Sequence, residues 1–570
     1  MAENKYLTID KDSFPYVFMK NVDIPLKTYE KGLLRANVFL PKDAAPWGDK
    51  TFPVIATYGP YGKDVRYEIF YKKSWDQLNP DMKSTHAAWE TPDPAYWTSK
   101  GYIVVRVDER GAGQSPGLLD TMSRGTSEAF FDVIEWAAEQ EWSSGKVGLL
   151  GISYYAGTQW RVAARKPKGL AAIIPWEGMS DYYRDRVRHG GILSDRFIDF
   201  WWNNGVSPNQ YGKPGRSARN WGEDTLAGDL DEEALLKNRR DQTVDTAVHK
   251  FRDEEYYRTR DFDVEAIEVP LLSVANWGGI LLHLRGNVLG WIRASSKYKF
   301  LHFIVGRHDL PFYYPESAEL QLSFFNSFLK DDDVDGWKSG KQPRVRLTLR
   351  KGEAGVDDPE RERGFPTRDE ADWPLPGTNY TKFYLTSDKS LSTKPSQGIS
   401  TIEYDALNGE PIKFAHKTAS TLEITGHIVA HLTVAASRKS ADASTPSDID
   451  LFITLRKINA KDEEVFYTGT MGDPVPIAYL PYRNYYSSDV QPVEENQRYA
   501  VDVEVWPTNV VLEPGETLVL EIAGHDTQGV GKFSHEHPND RYPKTFDGKN
   551  IITVGGEASW ITLPVIDARR

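Results

Sequence analysis

The spacing of apolar residues changes character once along this chain, and that change limits the fold more than any other feature. Through the first 180 residues, short β-branched runs alternate with segments of helical periodicity. Beyond about residue 344, apolar residues recur at every second position and no long helical stretch appears. PVIATY (53–58) and YIVVRVD (102–108) read as buried strands. The spacing of Phe130, Ile134 and Ala137–Ala138 predicts a helix from about Ser127 to Glu139. KVGLL (146–150) follows, then a helix from about Tyr154 to Arg165, then AAIIPW (171–176). Strand, helix, strand at this spacing implies βαβ units and a mostly parallel sheet, so the class is α/β.

The rhythm breaks after Glu177. Residues 180–262 are polar, with helical spacing around FIDFWW (197–202) and no evident buried strand, and they read as a helical insertion. The α/β pattern resumes at VPLLSVANW (269–277), KFLHFIVG (299–306) and a helix near 316–329. VRLTL, TKFYLT, LEITGHIVAHLTV, DIDLFITLRKI, YAVDVEVW and TLVLEIAG then alternate in period two, as in a β-sandwich or jelly roll. Residues 351–377 are a Pro, Gly and charge-rich connection. The expected divisions are therefore 1–178 and 266–350 for the α/β core, 179–265 for a helical cap and 351–570 for the β domain. A chain of 570 residues has room for them, at roughly 100–200 residues per domain.

Composition removes several function classes. The chain carries 69 Lys and Arg against 82 Asp and Glu, a net charge of −13, which disfavours nucleic acid and anionic membrane as partners. It has no cysteine, so disulfides, thiolate metal sites and a cysteine nucleophile are excluded. The N-terminal residues lack the apolar core of a secretory leader, and runs such as LAAIIPW are too short to span a bilayer, so a cytoplasmic location is expected. The 17 Trp, 29 Tyr and 24 Phe suit a large organic pocket as well as β-sheets.

The sharpest motif is Gly151-Ile152-Ser153-Tyr154-Tyr155-Ala156-Gly157, directly after KVGLL and opening a helix. This is the context of a nucleophile elbow, in which a tight turn lifts a serine hydroxyl at the carboxyl end of a strand. The same turn aims the backbone N–H of Tyr154 at a developing oxyanion. The plainer reading is a serine that caps the helix. A serine nucleophile needs a base, and His308 is best placed, after the strand FIVG and before a helix, on the same sheet edge. Tyr61 follows PVIATY in the loop that completes such oxyanion holes, where a neutral phenol can donate. His535-x-His537 is weak evidence for a metal, and none is expected. In VDERGAGQSPG (107–117) the glycine spacing departs from a dinucleotide loop, and Asp108 and Arg110 read as polar scaffolding.

These segments resemble the CocE/NonD hydrolase family, which contains esterases, α-amino-acid ester hydrolases, acylases and X-prolyl dipeptidyl aminopeptidases. The resemblance is carried by PYGK (60–63), VDERGAGQSPG, GKVGLLGISYYAGTQW (145–160), SDYYRD (180–185), GRHDLPFY (306–313) with FFNSFLK (324–330), and SDIDLFITLRKI (447–458). It implies an α/β-hydrolase core, a helical cap and a C-terminal jelly roll. It further implies Ser153 as nucleophile, His308 as general base, and Tyr61 with the N–H of Tyr154 as oxyanion hole. The family's aspartate, shortly after a Trp, is missing: Gly279 stands in its place after Trp277. Glu177, ending LAAIIPWE, is the favoured substitute, with Asp309 and Asp181 as alternatives. An anion there holds the imidazole's tautomer and stabilises the imidazolium. Phe197, Phe200, Trp201, Trp202, Trp277 and Phe312 are candidate pocket walls. The expected activity is hydrolysis of a small ester or amide without cofactor. The alternatives are an acylase or X-prolyl-type aminopeptidase, and a catalytically impaired binding protein. A homo-oligomer is compatible with all of these.

Overall fold

A computed structural model of the chain describes residues 4–28 and 31–567. Its largest sheet has eleven strands. In spatial order they are Thr8–Asp10, Val17–Leu26, Gly32–Leu40, Ile103–Asp108, Phe52–Gly59, Ser143–Ile152, Leu170–Trp176, Leu271–Asn276, Lys299–Ile304, Val345–Thr348 and Thr367–Glu370. From Ile103–Asp108 to Val345–Thr348 all neighbours are parallel, and the flanking pairs are antiparallel. The central strands are buried on both faces, so they read as continuous apolar runs rather than alternating ones. Val54 and Ala56 face a layer with Phe130, Ile134 and Trp160, while Ile55 faces the opposite layer with Trp97 and Phe325.

The helices lie close to their expected bounds: Arg124–Ala138, Tyr154–Ala163 and Pro315–Leu329. Ser123 caps the first by accepting from the N–H of Thr126. The insertion is built of short helices, among them Asp195–Trp201, Glu232–Lys237 and Gln242–Val248. It also contains a small buried hairpin, Arg188–His189 with Ile192–Leu193, where no strand was expected. Two-residue strands leave no periodic trace, and the turn is made by Gly190 and Gly191 at φ 50° and 90°.

Two further differences concern the junction. VRLTL belongs to the α/β sheet, parallel to Lys299–Ile304. The sheet then continues past the expected division at 350/351, because Thr367–Glu370 adds an antiparallel edge strand from within the polar connection. After it come two antiparallel sheets packed as a β domain, centred on Leu422–Ser437 and Leu451–Ile458. Among the described residues no helix is long and apolar enough to cross a membrane.

Candidate active site

The parallel strands deliver their chemistry at one edge. Tyr61 follows Phe52–Gly59, Ser153 follows Ser143–Ile152, Glu177 follows Leu170–Trp176, and His308 follows Lys299–Ile304. The carboxyl ends of such strands are where α/β sheets place ligands, because the turns there carry free side chains and helix N-termini.

Ser153 adopts φ 62° and ψ −116°, a region that non-glycine residues seldom enter. Its surroundings hold it there. The N–H of Ser153 donates to the carbonyls of Trp176 and Glu177, and the N–H of Ile152 to that of Glu90. A Cβ on Gly151 would stand 2.6 Å from Cβ of Tyr155, so the turn admits only glycine before the serine. Tyr155 in turn packs its ring on Gly59, and Ala156 fits against Gly178. Tyr155 therefore replaces the usual small residue because Gly59 makes room for it. The helix begins at Tyr154, whose N–H has no intrahelical acceptor and points along the positive end of the helix dipole.

The hydroxyl of Ser153 meets an imidazole, but it is that of His283: Oγ lies 3.2 Å from Nε2. The N–H of Met179 donates to Nδ1 of His283, which leaves the ring proton on Nε2 and makes it a donor to Oγ. The ring of His308 stacks on that of His283, with centroids 5.0 Å apart and planes 9° from parallel. His308 bridges two buried carboxylates, with Nδ1 2.9 Å from Oε2 of Glu177 and Nε2 3.0 Å from Oε1 of Glu90. Thus Ser153 and His308, expected as nucleophile and general base, each have other hydrogen-bond partners in this arrangement.

Burial alone would lower the pKa of His308, but Glu177 and Glu90 outweigh it and push it up to about 10. Burial also raises the Glu90 carboxyl to about 7, and its Oε2 has no hydrogen-bond partner. His283 is driven well below the usual imidazole value by burial and by the charges of His308 and Arg186. Its neutral form is therefore the stable one.

Glu177 is fully buried and also accepts from Nδ2 of Asn276. A Cβ at Gly279 would lie 3.6 Å from its Oε2, so the glutamate reaches from the neighbouring strand into the space beside the residue where the family's aspartate was expected. The other acids are engaged elsewhere. Asp309 accepts from Tyr67, Trp89 and Arg307, and Asp181 binds Arg184 within the cap.

Tyr61 packs its ring near those of Tyr154 and Tyr155 and accepts a 2.8 Å hydrogen bond from Nε1 of Trp201. Burial lifts its pKa far above the ordinary phenol, so the hydroxyl stays protonated and its own proton is free to donate elsewhere. The loop is tied down by the N–H of Lys63, which donates to Asp108.

The expected pocket walls divide. Trp201 contacts Tyr61 and stacks on Tyr154, and Phe197 stacks on Phe533 of the β domain. Trp277 instead stacks on Phe303 at 4.0 Å and donates to the carbonyl of Thr348, within the core. Phe312 packs edge-on against Trp176, Trp202 is buried, and Phe200 lies at the surface under Lys532. For these four the sequence marked large apolar side chains but not the direction each faces. His535 is hydrogen-bonded to His189 and Asp526.

Sequence reasoning missed His283 and Glu90. His283 follows the strand Leu271–Asn276 and carries the same signal that singled out His308, a histidine past a strand's carboxyl end. Glu90 sits in an irregular segment before Ile103–Asp108, and no local pattern marks it.

A strained serine between a parallel strand and a helix, with its hydroxyl on an imidazole, is how α/β-hydrolase sheets present a nucleophile for acyl transfer. The class is serine hydrolase. Comparison with known proteins agrees. Residues 32–308 match the X-Pro dipeptidyl-peptidase (S15 family) model, and residues 336–562 match its C-terminal non-catalytic domain. The chain is 26% identical to cocaine esterase of Rhodococcus, over 91% of this chain and 95% of the esterase. A crystal structure of a CocE/NonD family hydrolase from Staphylococcus aureus superposes with a TM-score of 0.79 at 27% identity, covering 97% of this chain and 94% of that one. An α-amino-acid ester hydrolase shares the fold, with a TM-score of 0.67 at 15% identity. The chain belongs to the CocE/NonD family of serine hydrolases.

Proposed function

We propose that the chain hydrolyses a carboxylic ester or an amide through an acyl-enzyme on Ser153. His308, paired with Glu177, is the general base, and Tyr61 and the N–H of Tyr154 hold the oxyanion. The observation that carries this reading is the His308–Glu177 pair at the sheet edge that also bears the strained Ser153 turn; its 2.9 Å contact has the geometry of an acid that orients its histidine. Oγ attacks the carbonyl carbon while its proton passes to Nε2 of His308, which exchanges Glu90 for the hydroxyl. The imidazolium then protonates the leaving group, and water releases the acyl group by the same steps in reverse order. His283, a neutral donor to Oγ, positions the hydroxyl. Esters rather than amides are the preferred substrates on the strength of the relatives.

A fluorophosphonate should label Ser153 stoichiometrically, and Ser153→Ala should lower kcat on p-nitrophenyl esters by roughly 10⁴-fold or more while the chain stays folded. A folded, unlabelled protein would mean a binding role. The 3.2 Å contact of Ser153 with His283 favours a second reading, in which the Met179 N–H releases Nδ1, the ring proton moves there and Nε2 of His283 takes the serine's proton. The pH profile separates the two. His308 holds its proton tightly, so with His308 as base the rate climbs with pH through an apparent pKa above that of an ordinary histidine. His283 is already neutral, so with His283 as base the rate is flat from about pH 6 to about pH 9.

A further inference from the structure

Arg186 is a cation without a counter-charge, set in the roof of this site. Its side chain is 2% exposed, and both terminal guanidinium nitrogens are buried with no hydrogen-bond partner. No ion pair engages it among the described residues. Aromatic faces surround it: the guanidinium lies 4.0 Å from the ring centre of Trp201 and 5.6 Å from that of Phe197. The groups that weigh most on its charge, after burial, are the phenols of Tyr182, Tyr61, Tyr154 and Tyr256, with no carboxylate among them. Its neighbours in sequence are satisfied by contrast. Asp185 pairs with Arg285, and Arg188 with Asp540.

A buried charge with unmet donors is costly, and stacking on aromatic rings returns only part of that cost. Arginine presents a planar fork that matches a carboxylate, and two free terminal nitrogens are what a bidentate contact needs. The place is informative. Trp201, on which Arg186 lies, donates to the hydroxyl of Tyr61, and the charge of Arg186 reaches His283 beside Ser153. The cation therefore stands one aromatic ring away from the oxyanion-hole tyrosine. We propose that Arg186 binds an anionic group of the substrate, so that the preferred ester or amide carries a carboxylate a few bonds from its scissile carbonyl. This deepens the serine-hydrolase reading and rests on it.

The test compares esters alike in size and different in charge. With charge on the acyl side, the probes are p-nitrophenyl hydrogen adipate, its neutral methyl ester and p-nitrophenyl 6-aminohexanoate. With charge on the leaving group, they are 4-acetoxybenzoate and its methyl ester. In at least one series kcat/KM should favour the anion over the neutral ester by about tenfold or more. In Arg186→Met that ratio should fall towards one, and in Arg186→Lys it should be intermediate; a ratio within each variant cancels any general loss of activity. No preference for the anion in either series, or a preference that persists in Arg186→Met, overturns the inference. The wild-type series decides even where a variant does not fold. Hydrolysis of neutral esters without charge preference defeats this inference alone, whereas no hydrolysis of any ester defeats the serine-hydrolase reading with it.

Discussion

At the scale of residues, the imidazole of His308 is held by two carboxylates, and only one of them has the geometry expected of a triad acid. Glu177 comes from the end of the adjoining strand, while Glu90 arrives from an irregular segment and occupies Nε2, the atom that would receive the serine's proton in the proposed mechanism. Both raise the pKa of His308, so the base form appears only as pH rises, and activity should rise with it. Replacing Glu90 with glutamine removes one of the two negative charges and leaves an acceptor in place. The acidic limb of kcat/KM should then move to lower pH, with activity at mildly acid pH increasing; an unmoved limb would show that His308 is not the titrating base. The strand-end positions of Ser153, His308, Tyr61 and Glu177 were legible in the sequence, because each follows a strand whose apolar run announces it. Glu90 was not, because its position depends on how a loop crosses the sheet.

At the scale of elements, the elbow is a packing solution. The strand Ser143–Ile152 and the helix Tyr154–Ala163 meet at a turn that leaves no space, and glycines at 59, 151 and 178 admit the side chains of Tyr155 and Ala156. A Cβ on Gly178 would stand 2.5 Å from Cβ of Ala156. Gly178→Ala should therefore push the helix from the turn that follows the strand Leu170–Trp176, at a cost of about 1–3 kcal/mol as for other overpacked sites. The expected result is a lower thermal midpoint together with slower turnover, because the N–H of Tyr154 moves with the helix; an unchanged midpoint and rate would refute this account. The strands and helices themselves were readable, since runs buried on both faces are apolar throughout. The hairpin at Arg188–Leu193 and the edge strand Thr367–Glu370 were not, because backbone pairing rather than apolar content defines them.

At the scale of the whole molecule, the β domain supports the catalytic edge. The N–H of His308 donates to the carbonyl of Thr470, and Gly278, in the turn before His283, faces the carbonyl of Thr468 so closely that any Cβ would collide with it. Arg307 reaches Asp357 in the polar connection between the domains. Gly278→Ala should thus separate the domains locally, lowering the thermal midpoint and reducing kcat by about tenfold or more through displacement of His283 and His308. A variant of normal stability and rate would show that the domain contact does not position these histidines. By itself, the amino-acid sequence determined the α/β core, the β domain, the elbow serine and the strand-end positions of its expected partners, since periodicity and turn chemistry are local properties. Only the tertiary structure decided that His283 meets the hydroxyl, that Glu90 shares His308 and that Arg186 lacks a counter-charge. Each of these depends on which side chains from distant segments share one buried space, and burial there decides which charges and hydrogen bonds persist.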